Sequence, residues 1–204
     1  VPTMQYVCPS IWAWRMERVA LLRESVQHVL CLFPFEPGLL ASHGIEATFV
    51  GHPLADMIPD QPDRLQARLV LNIPNDREVV ALLPGSRRDE IHRMTPRFLK
   101  AFRILQLERP DLFGVLPAAP GVAKQVAQHV DKHPEVKNLY VLKGQSHLAL
   151  AAADAAMVTS GTATLEAALF KCPMVISYYM PWLSWQITQA KRLQPWVGLP
   201  NILC

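Results

Sequence analysis

From residue 79 onward, short apolar runs alternate with helix-length amphipathic segments. The runs fall at 79–83, 112–116, 139–142, 155–158 and 174–178, and they are continuous rather than alternating. Continuous runs of that length suit strands buried on both faces, and strands alternating with helices build a parallel sheet. Thr95-Pro96 reads as N-cap and first helical position of a helix to about residue 108, Pro120-Gly121 opens another to about 131, and a third spans 163–170. The pattern predicts a doubly wound, Rossmann-like α/β fold, in which ligands sit at the carboxyl ends of the strands.

Before residue 51 the rhythm is shorter: a strand at 4–8, a helix at 14–25, a strand at 28–33, a helix through Ser42 and a strand at 48–50. This reads as the last part of a different domain. Gly51-His52-Pro53 and Pro59-Asp60-Gln61-Pro62 would form the connection, dividing the chain into 1–54 and 55–204. Hinge geometry explains Gly51 and Pro53, so His52 and Asp56 are given no chemistry. Asp154 and Lys171 read as ordinary solvated positions.

Composition narrows the function. A chain of 204 residues that is 50% apolar can bury a core of its own. Its net charge of +3 is mild, its basic residues are scattered, and no aromatic-interleaved basic patch points to nucleic acid. An anionic substrate or membrane surface remains compatible. Cys8, Cys31, Cys172 and Cys204 are far apart, with no Cys-x-x-Cys and no histidine at ligand spacing, so they read as reduced thiols of a cytosolic protein without a zinc site. The longest apolar stretch, 148–158, is short and carries Asp154, so no membrane-spanning helix is expected. The chain opens at Val1-Pro2, directly before a strand, and stops at Cys204 after an apolar stretch, which reads as a segment cut at both ends.

Two turns carry candidate chemistry. In Ala81-Leu82-Leu83-Pro84-Gly85-Ser86-Arg87 an apolar run stops at a Pro-Gly turn followed by a hydroxyl and a guanidinium. Backbone N–H groups at such a turn and a forked Arg suit phosphate oxygens, although a surface turn with a solvated Arg has the same spelling. In Thr159-Ser160-Gly161-Thr162-Ala163-Thr164-Leu165-Glu166 a strand enters a small, hydroxyl-rich turn and then a helix, whose free N–H groups would face a diphosphate. Glu166 lies where a carboxylate can accept from ribose hydroxyls, or where it would merely favour a helix start. Neither a Gly-x-x-x-x-Gly-Lys-Ser/Thr loop nor a Gly-x-Gly-x-x-Gly fingerprint is present. A nucleotide-sugar or similar diphosphate ligand remains.

Five segments then resemble one family in order and spacing: Pro9-Ser10-Ile11-Trp12-Ala13-Trp14-Arg15, Gly51-His52-Pro53-Leu54-Ala55-Asp56, Leu82 to Arg87 with Glu90, Ser160 to Glu166, and Leu199-Pro200-Asn201. The family is lipid-A-disaccharide synthase, and the resemblance covers essentially the whole chain. It implies a GT-B glycosyltransferase fold, with 1–54 closing the acceptor-side domain and 55–204 forming the UDP-sugar domain. It implies transfer from UDP-2,3-diacylglucosamine to 2,3-diacylglucosamine 1-phosphate with inversion and release of UDP, without metal or cofactor, by an enzyme peripheral on the cytoplasmic face of a Gram-negative inner membrane. Carried over by motif, Gly85, Ser86 and Arg87 would hold the diphosphate, and Ser160, Gly161, Thr162, Ala163 and Thr164 would add helix-terminal donors. Glu166 would take the ribose, Asn201 would complete the donor pocket, and Gly144 would wall the uracil. The general base would lie upstream of Val1.

Met16-Glu17 depart from the family's usual Pro or Gly with Lys. Trp12 and Trp14 read as packing. The segment from Tyr178 to Trp185 with Lys191, Arg192 and Trp196 reads as a packed helix that could also meet lipid. Another GT-B enzyme using a UDP-sugar, an N-acetylglucosaminyltransferase or a UDP-sugar 2-epimerase, is the competing enzyme class, and a UDP-binding module without turnover the competing non-enzyme class.

Overall fold

The computed structural model describes residues 1–182, 185–186 and 198–203. Contacts divide the chain into two compact units, Val1–Met57 with Met180–Trp196, and Ile58–Tyr179 with Val197–Cys204.

The first unit is built on a three-stranded parallel sheet of β1 (Met4–Tyr6), β2 (His28–Cys31) and β3 (Glu46–Phe49), with β2 central. Its helices are α1 (Ile11–Trp14), α2 (Val19–Ser25), α3 (Glu36–Ala41) and α4 (Pro53–Met57). The single helix expected at 14–25 is instead α1, a 3₁₀ turn at Met16–Arg18 and α2, because Arg15 leaves helical geometry at φ −139°. Ile11, Leu22, Val29, Leu40 and Ile45 form the core. Glu36 is buried among them, and its carboxylate accepts from the Trp12 indole N–H at 3.1 Å and the Phe33 amide at 3.1 Å. Burial pushes the Glu36 carboxyl above its ordinary value against those lowering bonds. Burial next to that carboxylate pushes the Cys8 thiol up to about 12. Trp12 therefore packs, as its sequence setting suggests, edge-on to Phe35 at 5.2 Å. Gly51 adopts φ +81°, and the His52 Nδ1 accepts from the Leu54 amide at the start of α4.

The second unit opens with α5 (Arg64–Val70), whose N-terminus is capped by the Asp63 carboxylate accepting from the Gln66 amide. A five-stranded parallel sheet follows, of β4 (Val79–Leu83), β5 (Phe113–Ala118), β6 (Leu139–Lys143), β7 (Ala155–Thr159) and β8 (Met174–Ser177), in the order β6-β5-β4-β7-β8. Numbered within this sheet the order is 3-2-1-4-5, the doubly wound pattern with its switch point between β4 and β7. The helices are α6 (Arg88–Glu108), α7 (Ala123–Asp131, entered by a 3₁₀ turn at Pro120–Val122), α8 (Ser146–Ala152), α9 (Thr162–Leu169) and α10 (Leu199–Leu203), the last packed on α9.

Three expectations are corrected here. The helix expected to start at Thr95-Pro96 begins at Arg88. Ile91, Met94, Phe98, Leu99 and Phe102 bury one continuous stripe of it, which outweighs the hydrogen bond lost at Pro96. Thr95 is consequently fully buried in mid-helix. Helix α5 has no counterpart among the elements expected from the sequence pattern. Asp154 is no solvated bystander: its carboxylate accepts from Arg64 at 2.8 Å, from Arg68 at 2.7 Å and from the Val79 amide at 2.8 Å, tying α5 to the head of β4. Lys171 donates to the Asp60 carbonyl. Trp182 and Trp185 are exposed, whereas Lys191, Arg192 and Trp196 lie outside the described residues. Cys8, Cys31 and Cys172 are buried free thiols. Among the described residues no helix is long and apolar enough to cross a membrane.

Candidate functional site

A cavity of about 360 Å³ opens at the carboxyl ends of β4, β5 and β7, inside the second unit. The switch point puts it there: helices leave the sheet in opposite directions on either side of β4 and β7, so nothing fills the space over their ends.

The first wall is the turn after β4. Gly85 adopts φ +110°, and a Cβ there would lie 2.7 Å from the Glu90 Cβ and closer still to its carboxylate. Only glycine fits, in conformation and in space. Glu90 Oε2 accepts from the Ser86 amide at 3.1 Å and the Arg87 amide at 3.3 Å, while Oε1 pairs with the Arg87 guanidinium at 2.9 Å. By reaching back to these two amides Glu90 holds the first turn of α6. Of the Gly85 and Ser86 backbone expected to face phosphate, the Ser86 amide is thus closed on Glu90. The Ser86 hydroxyl and the part of the 82%-exposed Arg87 side chain not bonded to Glu90 remain for a ligand.

The second wall is the turn after β7, where Ser160, Gly161, Thr162 and Ala163 line the cavity. The N-cap of α9 is Gly161, which has no side chain, and the positive end of the helix borders the cavity. Thr164 does not line it. Its side chain is buried and donates to the Gly161 carbonyl at 2.7 Å, holding the turn from behind. Glu166, one turn into α9, does line it.

The third wall comes from the turn after β6, Gly144 with Gln145 and Ser146, and from Pro117 near the end of β5 with Ala119 and Pro120 just after it. Gly144 and Gln145 both adopt positive φ, +71° and +60°, which aims the start of α8 at the cavity. Ser146 donates to Glu166 Oε2 at 3.1 Å, and the His147 Nε2 lies 3.7 Å from the same oxygen. Sequence reasoning gives Gln145, Ser146 and His147 no role; a serine directly after a Gly-x turn at a strand end is the signal that points to them. Asn201, on α10, is not among the residues that line the cavity. The described residues contain no cluster of three His, Cys, Asp or Glu side chains that could hold a metal.

A guanidinium, a helix start and a largely buried carboxylate around one cavity suit a ligand with a negative group at one end and hydroxyls at the other. Comparison with solved structures gives the same fold. The chain resembles Staphylococcus aureus MnaA, solved with UDP, at TM-score 0.59 and 15% identity, over 90% of this chain and 52% of that one. It also resembles the Methanocaldococcus jannaschii UDP-GlcNAc 2-epimerase, solved with UDP-GlcNAc and UDP, at TM-score 0.53 and 17% identity, over 77% and 47%. At that identity the likeness establishes the GT-B-type Rossmann fold alone. Curated relatives are far nearer in sequence. Lipid-A-disaccharide synthases of Albidiferax ferrireducens, Verminephrobacter eiseniae and Burkholderia pseudomallei are 53%, 52% and 51% identical over all 204 residues. The chain spans about half the length of these relatives, 52% in each case. The family profile described as Lipid-A-disaccharide synthetase matches residues 1–204, and the chain belongs to that family.

Proposed function

We propose that the protein containing this chain transfers 2,3-diacylglucosamine from UDP-2,3-diacylglucosamine to 2,3-diacylglucosamine 1-phosphate, with inversion and release of UDP. The observation that carries this reading is the cavity over β4 and β7, lined by nine of the expected donor-site residues, in a chain half identical to synthases along its whole length. In it, Arg87 and the Ser86 hydroxyl take the diphosphate, assisted by the start of α9 from Ser160 to Ala163, and stabilise the charge that develops as the glycosidic bond breaks. Glu166 accepts from the ribose, and Gly144 lies against the base. Residues 55–204 supply this donor domain and 1–54 the end of the acceptor-side domain.

Inverting transfer also needs a base for the acceptor hydroxyl. Glu90 already accepts from the Ser86 and Arg87 amides and Glu166 is assigned to the ribose, so we assign the base to the part of the relatives' length that this chain does not span. Substrates that carry acyl chains call for an enzyme working at the cytoplasmic membrane surface.

The test is a transfer assay on the full-length protein with labelled acceptor and a chelator present. Disaccharide phosphate and UDP are the expected products, and Arg87→Ala should weaken UDP binding by about 2 kcal/mol in calorimetry, with Lys restoring only part. Absence of transfer together with epimerisation of a UDP-sugar would replace this reading with the competing one.

A further inference from the structure

The contacts of Glu166 assign a role to a residue outside the family-like motifs. We propose that His147 is a positioning residue for nucleotide binding, fixing the Glu166 carboxylate so that its free oxygen meets the ribose hydroxyls of a uridine nucleotide. The inference rests on the donor-site reading given above.

Ser146 and His147 occupy the first two positions of α8 and approach Glu166 from one side. Both meet the same oxygen, Oε2, at 3.1 Å and 3.7 Å. Among the described residues this leaves Oε1 for a ligand. The Glu166 side chain is only 18% exposed and at the cavity wall, so its rotatable bonds must be fixed by neighbours if it is to present one oxygen reproducibly. His147 is itself held: its ring packs against Phe170 at 5.3 Å, at the end of the helix that carries Glu166. Histidine, carboxylate and aromatic ring thus form one brace between α8 and α9. At 3.7 Å the imidazole contact is longer than a formed hydrogen bond, and binding-site contacts of this kind commonly tighten when ligand arrives.

The arrangement is not a nucleophile relay. In a relay the histidine stands between hydroxyl and carboxylate, whereas here Ser146 and His147 both converge on the carboxylate. The chemistry left is orientation of an acceptor.

The experiment measures UDP and inorganic pyrophosphate binding to the full-length protein by calorimetry, alongside thermal melts. His147→Leu keeps the packing against Phe170 and removes the donor. It should weaken UDP about fivefold while leaving pyrophosphate unchanged, because only the ribose contact is disturbed. His147→Gln, which restores an N–H donor at similar reach, should recover most of the loss. If Glu166→Gln weakens UDP but His147→Leu does not, or if His147→Leu weakens both ligands equally with a lowered melting temperature, His147 is structural and the proposal falls while the donor site stands. If the wild-type protein does not bind UDP, both fall.

Discussion

Gly85 shows how much can hang on one missing methyl. Its φ of +110° and the 2.7 Å that would separate a Cβ from the Glu90 Cβ forbid a side chain, and Glu90 holds the two amides that begin α6. Gly85→Ala should therefore cost roughly 2 kcal/mol of stability in chemical denaturation and weaken UDP binding in parallel, since the strained turn displaces Arg87 as well. The Pro-Gly-Ser-Arg spelling makes this turn legible in the sequence. What it does not disclose is who takes the amides, because a carboxylate three residues into a helix reads the same whether it bonds backwards or faces solvent. Thr164 and Asn201 mark the same limit. A hydroxyl-rich turn announces a site, but the helical rotation that sends Thr162 to the cavity and Thr164 to the core depends on where the helix starts, to within one residue.

At the level of elements, the strands of the second unit are legible because unbroken apolar runs have few other uses, and each observed strand overlaps its expected run. Helices are harder. The Thr-Pro pair at 95–96 carries a strong start signal, yet burial of the stripe from Ile91 to Phe102 outweighs it. Helix α5 is seven residues long and derives its place from a non-local partner that no window of sequence reveals. That partner is Asp154, some 90 residues away from Arg64, which also satisfies the 4%-exposed Arg68. Asp154→Ala should leave the Arg68 charge buried with only carbonyl partners and cost about 3 kcal/mol, read as a lowered denaturation midpoint. Hydrogen exchange should locate the damage in α5 and at the Val79 amide rather than at the cavity, where UDP affinity is expected to hold.

Across the whole molecule the two units differ in what stabilises them. The second has a broad apolar core between its sheet and α6 and α7, whereas the first builds its small core around a buried acid, Glu36. Because burial raises the folded-state pKa of Glu36, its contribution to stability is full below the ordinary carboxyl pKa and is lost as pH rises through the raised value. Exchange of the Phe33 amide, which donates to Glu36, should accelerate as pH rises through that window beyond the intrinsic base-catalysed increase, and Glu36→Gln should abolish the excess. The sheet order has a consequence of its own. Strand β4 finds one neighbour in residues 113–115 and the other only in residues 155–158. A ribosome delivers these in sequence, so the central strand emerges first and waits, one flank bare, until some 75 further residues have been made. Asp154 arrives with that last flank and closes onto the Val79 amide at the head of the waiting strand. A strand flanked on both sides in the finished sheet is thus left half-paired during its synthesis, and through that interval the chain depends on being shielded from its neighbours.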